Sequence, residues 1–131
     1  MNRKVLIADV PQMDGCYSAA LAGWELAFVR TMTEARQALA AQGYALVVAG
    51  VYFDDSQMFD LLRMLRADDT HAEVPIVCVR GRPGFTAVTS RTLETTVKAL
   101  GGDEFIDLVH YGDEAAAGAA LREAAKRLVK P

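Results

Sequence analysis

Cysteine, proline and tryptophan are scarce, with two, four and one among 131 residues. Cys16 and Cys78 provide neither a metal-binding spacing nor a disulfide framework. Long hydrophobic runs are also missing. The longest, Tyr44 to Phe53, falls far short of the roughly 20 residues a bilayer-spanning helix needs. Only Val5 to Ala8 separate the opening Met1-Asn2-Arg3-Lys4 from Asp9, so no secretory apolar region is expected and a cytoplasmic protein is. Charge of one sign is weak, 14 Lys+Arg against 17 Asp+Glu for a net −3. Without a basic block, neither nucleic acid nor a membrane is the expected partner. What is present is apolar: hydrophobic residues make up 52% and charged ones 24%, which excludes a disordered or collagen-like chain. One domain over residues 1–131 is the expectation.

Short apolar runs alternate with helical periods. Lys4-Val5-Leu6-Ile7-Ala8-Asp9 reads as a buried strand ending at a carboxylate. Pro11 and Gly15 punctuate an Ala-rich first helix over Gln12 to Gly23. Trp24, Leu26 and Phe28 alternate as on a sheet-edge strand running to Val29. Thr31 and Glu34 have capping-box spacing and open a helix that stops at Gly43. Ala45 to Val51 is apolar throughout, as in a strand covered on both faces. Met58, Leu61, Leu62 and Leu65 form one helical stripe, with Phe59 and Met64 off it. Pro75 to Val79 predicts a fourth strand ending at Arg80, followed by a turn at Gly81-Arg82-Pro83-Gly84. Leu93, Val97 and Leu100 mark a fourth helix closed by Gly101-Gly102. A fifth strand over Phe105 to Val109 and a last helix over Asp113 to Val129 complete the pattern. Five strands alternating with five helices predict a doubly wound α/β fold with a parallel sheet.

Ligands of such sheets sit beyond the strand carboxyl ends. Familiar chemistries find no support there. His71 and His110 are isolated, with no His/Cys/Asp cluster for a metal. Ser18, Ser56 and Ser90 lack a nucleophile elbow, and no Gly-rich phosphate loop follows a strand. Cys78 reads as an inert core residue. Arg80, Arg82 and Arg91 gather around the fourth-strand exit, as a solvated loop or as an anion- or partner-facing patch.

Five segments together resemble the receiver domains of two-component response regulators: Val5 to Asp9, Tyr44 to Val48, Leu61 to Arg66, Val74 to Val77, and Gly101 to Ile106. The resemblance covers nearly the whole chain. It implies a flavodoxin-like sheet of order 2-1-3-4-5. It also locates the family's working positions, and most have changed. The Mg²⁺-binding acidic pair after the first strand reads Asp9-Val10. The phosphoacceptor aspartate at the third-strand end matches Gly50, and neighbouring Ala49 and Val51 are also non-acidic. The Ser or Thr ending the fourth strand is Arg80, and the Lys ending the fifth is Leu108. The switching aromatic survives in type as Phe105. A glycine offers no nucleophile, one carboxylate is a poor Mg²⁺ site, and leucine brings no charge to steady phosphoryl oxygens. Asp54 and Asp55, in the loop after Gly50, read as carboxylates near a helix N-terminus rather than displaced phosphoacceptors.

The resemblance therefore implies a degenerate pseudo-receiver, neither enzyme nor metalloprotein and without a cofactor. Its expected partner is a protein: a signalling kinase, an effector or a second copy. The expected surface spans about Arg91 to Val129, with Arg91, Lys98 and Phe105 on it. The chain has no room for a DNA-binding or catalytic output domain, so it reads as a stand-alone adaptor or one domain of a larger regulator. The alternative is a small anion- or nucleotide-binding domain anchored by Arg80 and Arg82 in the strand-end cleft. In the vacated phosphorylation pocket, the Arg80 guanidinium is expected to turn toward Asp9.

Overall fold

The computed structural model describes residues 2–81 and 89–129. The expected turn residues Arg82, Pro83 and Gly84 lie outside them. Five strands, β1 (Lys4–Ala8), β2 (Glu25–Val29), β3 (Leu46–Gly50), β4 (Ile76–Arg80) and β5 (Glu104–Asp107), form one parallel sheet of order β2-β1-β3-β4-β5. The helices are α1 (Asp14–Ala20), α2 (Met32–Ala41), α3 (Met58–Ala67), α4 (Ser90–Ala99) and α5 (Glu114–Leu128). This is the doubly wound architecture expected of the alternating pattern, with the flavodoxin-like strand order that the resemblance implies.

Strand alternation divides the core in two. Leu6, Ala8, Val47, Ala49, Ile76 and Cys78 pack with residues of α2, α3 and α4. Val5, Ile7, Leu46, Val48, Val77 and Val79 pack with residues of α1 and α5. All five residues of β3 are buried, which accounts for its unbroken apolar run. The α3 stripe is phased as its spacing predicts: Met58, Leu61, Leu62 and Leu65 are at most 2% exposed. Phe59 and Met64 lie partly buried against the same core. Helix starts follow their caps, with Thr31, Thr89 and Asp113 accepting from the backbone N–H of Glu34, Thr92 and Ala116.

Two boundaries depart from the sequence reading. A 3₁₀ turn over Pro11–Met13 precedes α1, which ends at Ala20 rather than Gly23. Strand β5 stops at Asp107, and Leu108–His110 curl into a 3₁₀ turn. The cause is local: Asp107 Oδ1 accepts from the Val109 N–H at 3.2 Å, capping a turn where an extended chain was expected.

Arg66, near the end of α3, ties two loops to the helix. Its Nε donates to the Gly101 carbonyl at 2.9 Å, and Nη1 donates to the carbonyls of Val74, Ala72 and His71 at 2.7, 3.1 and 3.4 Å. Nη2 meets Asp103 Oδ2 at 3.2 Å, and the same oxygen accepts from the Ile76 N–H at 2.8 Å. A lysine has no such planar fork of donors and would not make this set.

Candidate functional site

The β1 and β3 ends meet over Asp9 and Gly50. Asp9 continues the Val5-Ile7 parity onto the α1–α5 side and is only 3% exposed. Its Oδ1 accepts from the Val10 N–H at 2.8 Å, and its Oδ2 accepts from the Tyr17 hydroxyl at 2.5 Å. Tyr17 stands on α1 and is fully buried. Burial, the Asp9 charge and their hydrogen bond together push the phenol well above its ordinary range, so it stays a proton donor. A Cβ built on Gly50 would fall on the Asp9 carboxyl carbon and both its oxygens, far inside van der Waals contact. The carboxylate of β1 thus fills the space that any side chain on Gly50 would need. A side chain on Gly50 would have to displace that carboxyl group, so the constraint there is close approach, not backbone conformation.

Apolar side chains also reach this end. Leu108 is buried in the α1–α5 cluster, and Val10 packs against it. The Met13 side chain covers Gly81 so closely that a Cβ on Gly81 would overlap its sulfur and methyl. Beside β1, Arg30 at the β2 exit donates Nη1 to the Asp9 carbonyl at 3.1 Å and forms a two-pronged pair with Asp14 of α1. Asp9, Val10, Gly50 and Leu108 therefore come to one side of the sheet. Among the described residues no three His, Cys, Asp or Glu side chains lie together in a way that would hold a metal.

Arg80 does not join them. It follows Ile76 and Cys78 in alternation, on the α4 side, and is the register partner of Asp107. Asp107 Oδ2 accepts from Arg80 Nε at 3.0 Å and Nη2 at 2.5 Å, and also from the Ser90 hydroxyl. The expected Arg80–Asp9 contact is corrected by this geometry: the two residues end their strands on opposite faces. Burial pushes the Asp107 carboxyl up, but bonds from Arg80 and Ser90 and the charges of Arg80 and His110 outweigh it, holding it below its usual value. The Asp107 bond in turn raises Arg80 further.

A carboxyl depressed in the fold lends stability above its unfolded value near ~3.9. That contribution fades as pH falls through the lower folded value. Asp107→Asn is therefore expected to flatten the acid limb of the stability curve below about pH 5. Urea denaturation at stepped pH measures this, and an unchanged limb would show that Asp107 is not held ionised.

The loop after β3 carries the sharpest backbone feature. Asp54, Asp55 and Ser56 are consecutive left-handed residues, with φ of 44°, 55° and 64°. Buried Phe53 anchors the turn, and Asp54 Oδ2 accepts from the Met32 N–H at 2.8 Å. Asp54 thus serves a helix N-terminus, but that of α2 across the layer rather than the nearer α3. Of the expected partner-surface residues, Arg91 and Lys98 are exposed on α4, and Phe105 is partly buried beside them on β5.

The sequence reading missed Tyr17, Arg30 and Asp107. Asp107 carried a usable signal, a lone acid inside an apolar strand run, whereas Tyr17 and Arg30 carried none.

No protein-family model matches the chain, and no curated protein matches it. Its fold is nonetheless shared with solved receiver domains of response regulators. The signal receiver domain of a histidine kinase from Syntrophus aciditrophicus superposes with TM-score 0.74 at 18% identity, covering 98% of this chain and 90% of that one. A phosphorylated cyanobacterial phytochrome response regulator gives 0.78 at 14% identity, covering 99% and 96%. A chemotaxis response regulator of Vibrio cholerae gives 0.73 at 19% identity, covering 95% and 99%.

Proposed function

We propose that the chain is a phosphorylation-independent, receiver-like signalling domain that works by protein–protein contact in a two-component-type pathway. The observation carrying this reading is the closed β1–β3 junction. Gly50 has no nucleophile, and the Asp9 carboxylate that fills its space is buried and bonded to Tyr17 and Val10. Leu108 stands where a cation would steady a phosphoryl transition state, and its side chain brings no charge to that position. The domain is non-catalytic in this reading and needs no metal or cofactor. It is cytoplasmic, with neither nucleic acid nor membrane as partner. Among the described residues no helix is long and apolar enough to cross a membrane. The face formed by α4, β5 and α5 is the contact surface, taken by a kinase, an effector or a second copy. The anion-binding alternative has Arg80 and Arg82 as its anchors; Asp107 pairs with Arg80 on the α4 side, and Arg82 lies outside the described residues.

Incubation with acetyl phosphate or beryllofluoride plus Mg²⁺, followed by intact mass and NMR, tests the reading. The expected result is an unmodified mass and an unchanged spectrum. A stoichiometric aspartyl phosphate on Asp54 or Asp55 would overturn it.

A further inference from the structure

The three left-handed residues after β3, Asp54, Asp55 and Ser56, include no glycine. That region is disfavoured for any residue with a side chain, least so for aspartate. Asp55 and Ser56 are exposed, and their side chains make no hydrogen bond or ion pair among the described residues, so nothing they touch offsets the conformation. The local sequence favours the opposite hand. Turned right-handed, the segment would carry α3 back from Met58 toward Phe53 and set Asp54 and Asp55 in its first turn, where carboxylates are favoured. The closing bond would not change: the Gln57 N–H donates to the Phe53 carbonyl at 2.7 Å, the spacing of a helical turn of either hand. What holds the observed hand is tertiary. Asp54 Oδ2 accepts from the Met32 N–H at 2.8 Å, one of the orphan donors that open α2. The Gln57 side-chain amide donates to the Asp54 carbonyl at 2.8 Å. Buried Phe53 and Met58 fix the two ends of the turn, leaving residues 54–56 as the part that can change hand.

We propose that residues 54–56 form a two-state turn, latched left-handed by the Asp54 carboxylate on α2 and reverting to a right-handed extension of α3 when that bond is lost. Release removes a cap from α2 and lengthens α3 in one step, so the two helix starts change together. No phosphate enters, because the state of the turn depends on what holds Asp54. The latch stands independently of which face a partner takes.

The test reads the hand of the turn and the latch separately, by NMR of the whole ¹⁵N-labelled chain. The HN–Hα couplings of residues 54–56 report the sign of φ, and exchange of the Met32 amide reports the cap. Asp54→Ala should bring the couplings at 55 and 56 to helical values and speed Met32 exchange about fivefold, the usual loss of an N-cap. Asp54→Asn keeps an acceptor oxygen and should hold both readouts at parent values. Asp55→Ala places a stronger helix former at an exposed position, and should speed Met32 exchange from a residue that makes no bond to it. Ser56→Gly should raise the folded-to-unfolded ratio about threefold in the parent, because glycine accepts positive φ. In Asp54→Ala, where the turn is right-handed, the same change should bring no gain. Helical couplings in the parent, or a Ser56→Gly gain that persists undiminished in Asp54→Ala, would overturn the latch. Met32 exchange unmoved by Asp55→Ala would show that hand and cap are not linked, and would overturn it equally.

Discussion

Gly50→Asp, the change that would rebuild a phosphoacceptor in sequence, is expected to lower stability by about 3 kcal/mol, as overpacking with loss of a buried bond does, and to leave the domain unphosphorylated. The new side chain would need the volume held by the Asp9 carboxyl group. Asp9 would then give up the Val10 N–H and the Tyr17 hydroxyl, stranding a fully buried phenol beside two close carboxylates. Urea denaturation reads the cost, and intact mass after acetyl phosphate reads the chemistry. Tyr17→Phe alone should cost about 1–3 kcal/mol, because it removes a donor from a buried carboxylate. Combined with Gly50→Asp it should be less than additive, since both changes break the same bond. A Gly50→Asp variant with the parent's midpoint and a stoichiometric phosphate would refute the closed-junction account.

Leu62→Ala should cost about 3–5 kcal/mol, through lost transfer energy plus the cavity it opens. Leu62 is fully buried on α3 among Leu61, Leu65 and the β3 side chains. Arg63, the next residue, is largely exposed and pairs with Asp60 one turn back, at 3.0 Å. Its replacement by alanine should stay within about ±0.5 kcal/mol. The denaturation midpoints of these two adjacent variants should therefore separate widely, and the reverse ranking would mean that α3 is rotated.

These two predictions draw on different amounts of sequence information. The α3 stripe is legible directly, since Met58, Leu61, Leu62 and Leu65 repeat with the helical period and are all buried. The strands were also legible as apolar runs, and their alternation with helices led to the parallel sheet. Reading the site required a relation the runs do not display. An apolar strand covered on both sides gives no hint of which face its odd residues take. Asp9 therefore could not be set on the α1–α5 side, nor Arg80 on the other. Once the register Arg80↔Asp107 is known, the pair is what cross-strand neighbours of opposite charge would be expected to form. Nothing in the Ala-rich first helix singles out Tyr17. Only the tertiary placement of α1 over β1 brings its hydroxyl to Asp9.

The Arg66 fork has a bearing on motion. One guanidinium holds the carbonyls at 71, 72 and 74 before β4 and the Gly101 carbonyl before β5, and it meets the Asp103 carboxylate that caps the Ile76 N–H. Neither loop can lift away without breaking bonds to the same planar group, so the two open as one cooperative unit. Amide protons at 76 and 103 should exchange with a shared opening free energy, although 27 residues separate them in sequence. Both lie at the end of the sheet opposite Asp9 and Gly50. A ligand or partner that loosens the Asp9 end need not change their protection, and slow-exchange data would resolve the domain into two independently breathing ends.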